Sequence, residues 1–290
     1  MENTGHIRHD PTDAHFRMEK CILNEKGQAM PSKVLPVPPE AFDAREGTAI
    51  TWLGGAGILL NVRGTTLLID PLLTGFDMPT LFDCPLRPEK VRHLDAVLVT
   101  HIDNDHFSRE TCRALAGVCT AYHSTGYVAE EMRAAGIPGV GHAIIGEAFP
   151  AGGDVRVTLT PAKHNWQEGI PEFSFRTWAE EDYCGYLFDT PDGRIWLPGD
   201  SRLLECHLHM PAPDIILFDF SDNDWHIGLE GAVRLANAYP AARLVLIHWG
   251  TVDAPDMTPF NANPRDLYAR IINPDRICPL WPGEEFTLEK

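Results

Sequence analysis

The run Thr100-His101-Ile102-Asp103-Asn104-Asp105-His106 places two imidazoles and two carboxylates within six consecutive residues. It follows the apolar stretch Ala96-Val97-Leu98-Val99, which reads as a buried strand, so the charged groups emerge where a strand gives way to a loop. Two carboxylates held about 4 Å apart repel by roughly 4 kcal/mol at an effective dielectric near 20. A bound cation turns that repulsion into attraction, and imidazoles with carboxylates form a donor set for divalent metal ions.

Three further segments share the pattern. Val155 to Thr160 alternates as a strand and runs into Pro161-Ala162-Lys163-His164. Arg194-Ile195-Trp196-Leu197 runs into Pro198-Gly199-Asp200-Ser201, and Leu244-Val245-Leu246-Ile247 runs into His248-Trp249-Gly250-Thr251. One such residue reads as an ordinary hydrogen-bonded strand terminus. Together they supply His101, His106, His164 and His248 with Asp103, Asp105 and Asp200, enough donors for two metal ions.

The elements that must position these residues can be read from periodicity. Residues 49–70 read as paired strands with a turn at Arg63-Gly64, and 72–90 as a loop rich in Pro and Asp. Ser108 is placed to cap a helix through about Ala116, and Ser124 or Thr125 a second one ending at Ala135-Gly136. Strands are expected near 143–149, 155–160, 184–189, 194–198 and 214–220, with helices near 229–238 and 264–271. This alternation favours a single α/β domain over 46–290. Residues 1–45 form an N-terminal extension whose prolines (31, 36, 38 and 39) forbid a regular helix or central strand. His6, His9 and His15 read there as part of a solvated arm rather than as metal ligands, with packing across the domain or reach to a neighbouring subunit as the alternatives for the arm.

Composition narrows the partners. The net charge is −17, from 24 basic and 41 acidic residues with no Lys/Arg-rich run, which argues against a nucleic-acid partner. A hydrophobic content of 44% suffices for a core. No run approaches the length of a membrane span, and the N-terminus lacks the basic and apolar parts of a signal peptide. Seven scattered cysteines without a CxxC pair suit reduced thiols, so a cytoplasmic protein is expected.

The ordered donor set resembles the metallo-β-lactamase superfamily, whose signature is His-x-His-x-Asp-His followed by a single His, an Asp and a final His. The resemblance spans roughly residues 48–290, with the opening Ile50-Thr51-Trp52-Leu53-Gly54-Gly55-Ala56-Gly57 and the strand end Leu67-Leu68-Ile69-Asp70-Pro71. Pro161-Ala162-Lys163-His164 and His248-Trp249-Gly250-Thr251 look closest to the branch holding ascorbate-phosphate lactonase-like and N-acylphosphatidylethanolamine phospholipase D-like hydrolases. The resemblance implies a four-layer αββα fold, two mixed sheets sandwiched between helices. It implies one metal ion on His101, Asp103 and His164, a second on Asp105, His106 and His248, and Asp200 between them. It further implies a dinuclear hydrolase whose metal-bridging hydroxide attacks a small-molecule ester, lactone or phosphodiester, with Asp105 counted among the catalytic residues. His226, in Asp222-Asn223-Asp224-Trp225-His226, is the candidate acid or substrate-holding residue, with a capping role as the alternative. Members of this branch often self-associate, so a homo-oligomer is expected.

Asp103 departs from the signature, which has a second His at that position. Two divalent ions, three aspartates and a hydroxide sum to zero charge, where a second His would leave one positive charge. Oxygen donors favour harder ions, so manganese or iron gains against zinc. A carboxylate at this position is also found in the flavodiiron branch, which makes a di-iron oxygenase or oxidase the alternative to the hydrolase. Residues 165–183 place Trp166, Phe173, Phe175, Trp178 and Tyr183 among acidic residues directly after His164. They are expected to form either a wall over the site or a small satellite core.

Overall fold

The computed structural model describes residues 19–288. His6, His9 and His15 lie outside them. Two short strands, β1 (Cys21–Leu23) and β2 (Ala29–Pro31), form a hairpin ahead of the main body. The first large sheet then takes β3 (Thr48–Gly54), β4 (Gly57–Val62), β5 (Thr65–Ile69), β6 (Leu94–Val99), β7 (Cys119–Ser124) and β8 (Val140–His142) in that order. The second takes β9 (Ala148–Gly152), β10 (Val155–Pro161), β11 (Cys184–Thr190), β12 (Gly193–Leu197), β13 (Ile215–Phe218), β14 (Arg243–Leu246) and β15 (Ile277–Cys278). The C-terminal strand β16 (Glu285–Leu288) pairs antiparallel to β3 and completes the first sheet at seven strands. Each sheet then shows the same sequence of pairings, three antiparallel followed by three parallel. This repeat has no counterpart at residue level, because packing constrains polarity pattern and volume rather than identity.

The parallel halves need six crossovers, and four of them carry an α-helix: α1 (Arg109–Leu115), α2 (Gly126–Ala134), α3 (Leu229–Ala238) and α4 (Pro264–Tyr268), while β5 to β6 and β12 to β13 cross through loops with a short 3-10 turn. Ser108 caps α1 as expected, its Oγ accepting from the Thr111 amide at 3.0 Å. Alternation sorts the first sheet's side chains. Ile58, Leu60 and Val62 face the second sheet in the central core, while Leu59, Leu68, Val97 and Val99 pack against Cys112 and Leu115 of α1 and Val128 and Met132 of α2. The expected four-layer α/β arrangement is thus present. The strand expected near 214–220 is shorter, Ile215–Phe218, which leaves Asp219 beyond its end, and two other boundaries differ more. The single strand expected near 143–149 is two, β8 and β9, separated by a turn in which Glu147 N–H bonds Ile144 O at 2.9 Å and Gly146 takes φ +87°. The last helix stops at Tyr268, ahead of the left-handed Asn273 (φ +51°) and Pro274.

Tyr186 Oη donates to Val99 O at 2.6 Å and Cys184 N–H to Thr100 O at 3.2 Å, so β11 of one sheet grips the end of β6 in the other. The motif after β6 is thereby fixed relative to the second sheet. Among the described residues, no helix is long and apolar enough to cross a membrane.

Residues 19–45 pack across the domain. Lys20 Nζ pairs with Glu284 at 2.6 Å, Leu35 N–H bonds Pro282 O, and Gln28 Nε2 bonds Val252 O and Asn261 Oδ1. The last contact braces the loop that follows His248. Gly283 lies under this strap at φ +83°, where an added Cβ would fall 1.7 Å from Leu35 O. Gly283→Ala is therefore expected to destabilise the protein by about 1–3 kcal/mol, as overpacked sites do. Urea unfolding checks this, and an unchanged midpoint would show that the strap is loose.

Candidate metal centre

Every donor singled out in the sequence arrives at one edge of the two sheets, at or just beyond a strand's C-terminal end. His101, Asp103, Asp105 and His106 follow β6, His164 follows β10, Asp200 follows β12, and His248 follows β14. All four imidazoles are buried. The donors form two adjacent groups. In the first, the His101 and His164 Nε2 atoms lie 3.3 and 3.2 Å from Asp103 Oδ2. In the second, Asp200 Oδ2 lies 3.1 Å from His106 Nε2 and 3.3 Å from His248 Nε2, and Asp105 Oδ2 lies 3.2 Å from His248 Nε2. Asp200 belongs to the second group by distance, and its charge also reaches His101 and His164 of the first.

The rings are oriented from behind. His106 Nδ1 bonds Asp70 Oδ2 at 2.9 Å, His164 Nδ1 bonds Trp225 O at 2.9 Å, and His101 Nδ1 lies 3.0 Å from Thr100 Oγ1. Each ring thus spends Nδ1 on the protein and turns Nε2 into the shared space, an arrangement typical of metal-binding histidines. Asp70 also accepts from the Thr100 amide and hydroxyl, both at 2.7 Å. Asp70 and His248 have left-handed backbones, φ +43° and +59°, which for side chains of this size are strained conformations kept at the site.

The donor atoms fit divalent ions. The Nε2 atoms of His101 and His106 are buried and make no well-aligned hydrogen bond, their nearby acceptors being Asp103 Oδ2 at 3.3 Å and Asp200 Oδ2 at 3.1 Å. Both point among carboxylates, where a cation would satisfy nitrogen and oxygen together. The electrostatics agree. Burial works against a charged His106, yet Asp200, Asp105 and Asp70 hold its pKa well above the usual value. Burial likewise opposes charge on His248, and Asp200 leads the carboxylates that push it up to about 9. Asp103, Asp105 and Asp200 lie below the carboxylate range because the histidines outweigh their burial. His101 moves the other way, with burial first and His106 second lowering it.

Two features lay outside the sequence reading. Asp219, just past β13, accepts from His226 Nδ1 at 2.7 Å and from the Ser221 amide and hydroxyl at 2.9 and 2.7 Å. Its position at a strand end was the available signal. His226 itself is buried at the site, with Nε2 3.6 Å from Asp200 Oδ2. The second feature involves Asp103, whose oxygens accept from Trp166 Nε1 at 2.6 Å and Gln167 Nε2 at 2.7 Å. Tyr183 Oη holds Gln167 in turn, at 2.6 Å. The 165–183 stretch fulfils both expectations. Trp178 and Tyr183 join Ala162 in a satellite core, while Trp166, Phe173, Phe175 and Trp178 line a cavity over the donors.

Residues 65–249 match the family described as the β-lactamase superfamily domain. The chain belongs to the β-lactamase superfamily. A metal-dependent hydrolase of Nitratidesulfovibrio vulgaris is 28% identical over 256 residues, spanning 84% of this chain and 96% of that protein. The N-acyl-phosphatidylethanolamine-hydrolyzing phospholipase D 1 of Caenorhabditis elegans is 22% identical over 267 residues, spanning 82% of this chain and 73% of its own. The isothiocyanate hydrolase from Delia radicum gut bacteria superposes with a TM-score of 0.66 at 19% identity, covering 83% of this chain and 100% of that one. The superfamily membership and its fold agree with the sequence reading, and so does the class of metal-dependent hydrolase.

The raised histidines set a pH signature. A group whose folded pKa exceeds its unfolded value stabilises fully below the unfolded pKa and loses that contribution as pH rises through the folded one. For His248 that window runs from about 6.5 to about 9. His106 adds the same sign, while any cost from the depressed His101 is confined below its ordinary 6.5. The melting temperature of chelator-treated protein is therefore expected to fall by several degrees across this window. With saturating divalent metal the ion displaces these protons, so the gap between loaded and chelated protein should widen with pH. Parallel melting curves would contradict the assignment.

Proposed function

We propose that this metal-dependent hydrolase works through a dinuclear centre acting on a small-molecule ester, lactone or phosphodiester. The observation that carries the reading is the convergence of His101, His106, His164 and His248 with three aspartates into two adjacent groups, their Nε2 atoms turned toward carboxylate oxygens. His101, Asp103 and His164 would hold one ion, and Asp105, His106 and His248 the other, with Asp200 shared. Divalent ions bound there would supply a water acidified toward neutrality and polarise the electrophilic oxygen of the substrate.

The chain's own groups do the rest. Asp70 and the Trp225 carbonyl fix the tautomers of His106 and His164, so their Nε2 lone pairs face the centre. Asp219 holds His226 through Nδ1, leaving Nε2 on the cavity wall, where it can hand a proton to a leaving oxygen. The cavity, about 540 Å³, is large enough to shield a small substrate from water.

Asp103 supports a second reading, a di-iron oxygenase or oxidase, since a third carboxylate shifts preference toward harder ions. Metal analysis of protein purified without chelators separates the two. About two equivalents of zinc or manganese with colourless protein are expected, while two of iron with a visible band and oxygen uptake would reverse the assignment. Asp200→Asn is expected to lower kcat/KM by at least about a hundredfold together with metal content. Retained activity would remove Asp200 from the centre. Asp103→His is expected to shift selectivity toward zinc in competition between metals, and unaltered selectivity would mean that Asp103 binds no ion.

A further inference from the structure

We infer that the ligand of this site is an uncharged, largely apolar small molecule, which rests on the hydrolase reading and removes phosphodiesters and other anions from it. Among the described residues that line the cavity there is no lysine or arginine. With two divalent ions on Asp103, Asp105 and Asp200 and a hydroxide the centre sums to zero charge, so it offers an anion no net attraction, under a chain charge of −17. The basic side chains nearby are engaged with other groups, and Arg176 and Arg202 stack on cavity-lining rings without lining the cavity themselves. Arg176 lies 3.6 Å over the Tyr127 ring and pairs with Asp182 at 2.8 Å. Lys163 pairs with Glu180 at 3.2 Å. Arg202 stacks on Trp225 at 4.8 Å and donates to Asp224 O.

The walls are built for apolar contact. Trp166 meets Phe173 edge to face at 4.8 Å, and Trp178 meets Phe173, Phe175 and Tyr127 in the same manner at 6.2, 6.0 and 5.7 Å. Seven large hydrophobic side chains of the described residues are exposed, and three of them, Phe175, Trp225 and Met257, sit on this one cavity. Apolar surface gathered in this way is what a ligand-binding groove presents. The volume, about 540 Å³, suits a small molecule, and the acidic chain disfavours docking on an anionic lipid surface.

Calorimetric titration of metal-loaded and chelated protein with two matched probes tests this, one neutral (N-(2-naphthyl)acetamide) and one anionic (2-naphthalenesulfonate). The neutral probe is expected to bind at least tenfold more tightly in both forms. Phe175→Arg, at an exposed position, should narrow or invert that preference, and Met257→Arg, exposed on the lining from a different loop, provides the same test. Equal affinities, a preference for the sulfonate, or saturable binding to phosphatidylcholine vesicles in place of the neutral probe would overturn the inference. Turnover of 2-naphthyl acetate against bis(4-nitrophenyl) phosphate is measured in parallel. A neutral binding preference with neither compound hydrolysed would remove the hydrolase reading and keep the ligand class. Hydrolysis with preference for the phosphate would do the reverse.

Discussion

The structure turns on the burial of negative charge around imidazole. Asp70, Asp103, Asp105, Asp200 and Asp219 all lie beside buried histidines at one edge of two sheets. Carboxylates in such surroundings cannot remain ionised without compensating positive charge, and protons on His106 and His248 or divalent ions are the available forms. Much else follows from keeping these groups in register: the clasp of Tyr186 on Val99, the left-handed backbones of Asp70 and His248, and the strap that braces the loop after His248. The Trp52 and Trp249 rings, stacked at 5.4 Å with an 11° interplanar angle, anchor the residue after His248 to the first sheet.

The repeated sheet topology explains why the donors arrive where they do. In each sheet the parallel strands release their loops at the same edge, and in open α/β sheets that carboxyl edge is where ligands bind. The first sheet contributes the clustered motif after β6 and Asp70 after β5. The second contributes one residue from each of four strand ends: His164, Asp200, Asp219 and His248. The centre is thus assembled across the sheet interface, and its geometry depends on packing between the two halves.

What could be read from the sequence follows the same logic. Strand ends with a His or Asp beside Gly, Pro or Trp were legible because the apolar runs before them are short and well bounded, and α3 matched its expected limits at Leu229–Ala238 because its apolar face is periodic. Asp219 shares the strand-end position, but it fell inside the strand expected near 214–220, which stops at Phe218, and it precedes Phe220-Ser221 without a Gly or Pro, so that signal went unread. The partnership of β16 with β3 could not be read, because pairing across more than two hundred residues leaves no local pattern. The orientation of the imidazoles was equally hidden. It depends on backbone carbonyls such as that of Trp225, whose position no side-chain pattern encodes.

Asp103 shows how one substitution against a familiar signature can make sense physically. A histidine there would present one free nitrogen toward the centre. The aspartate presents two oxygens, and both accept from the loop that forms the cavity wall, Oδ2 from Trp166 and Oδ1 from Gln167. Each oxygen retains a further lone pair, so the carboxylate can face a cation while holding the loop. With an imidazole in its place, two donors beside the centre would lose their acceptors, each loss costing roughly 1–3 kcal/mol if the group stayed buried. The carboxylate at position 103 and the aromatic wall are therefore best understood as one device. The same residue that adds a negative charge to the donor set also fastens the apolar wall of the cavity above it.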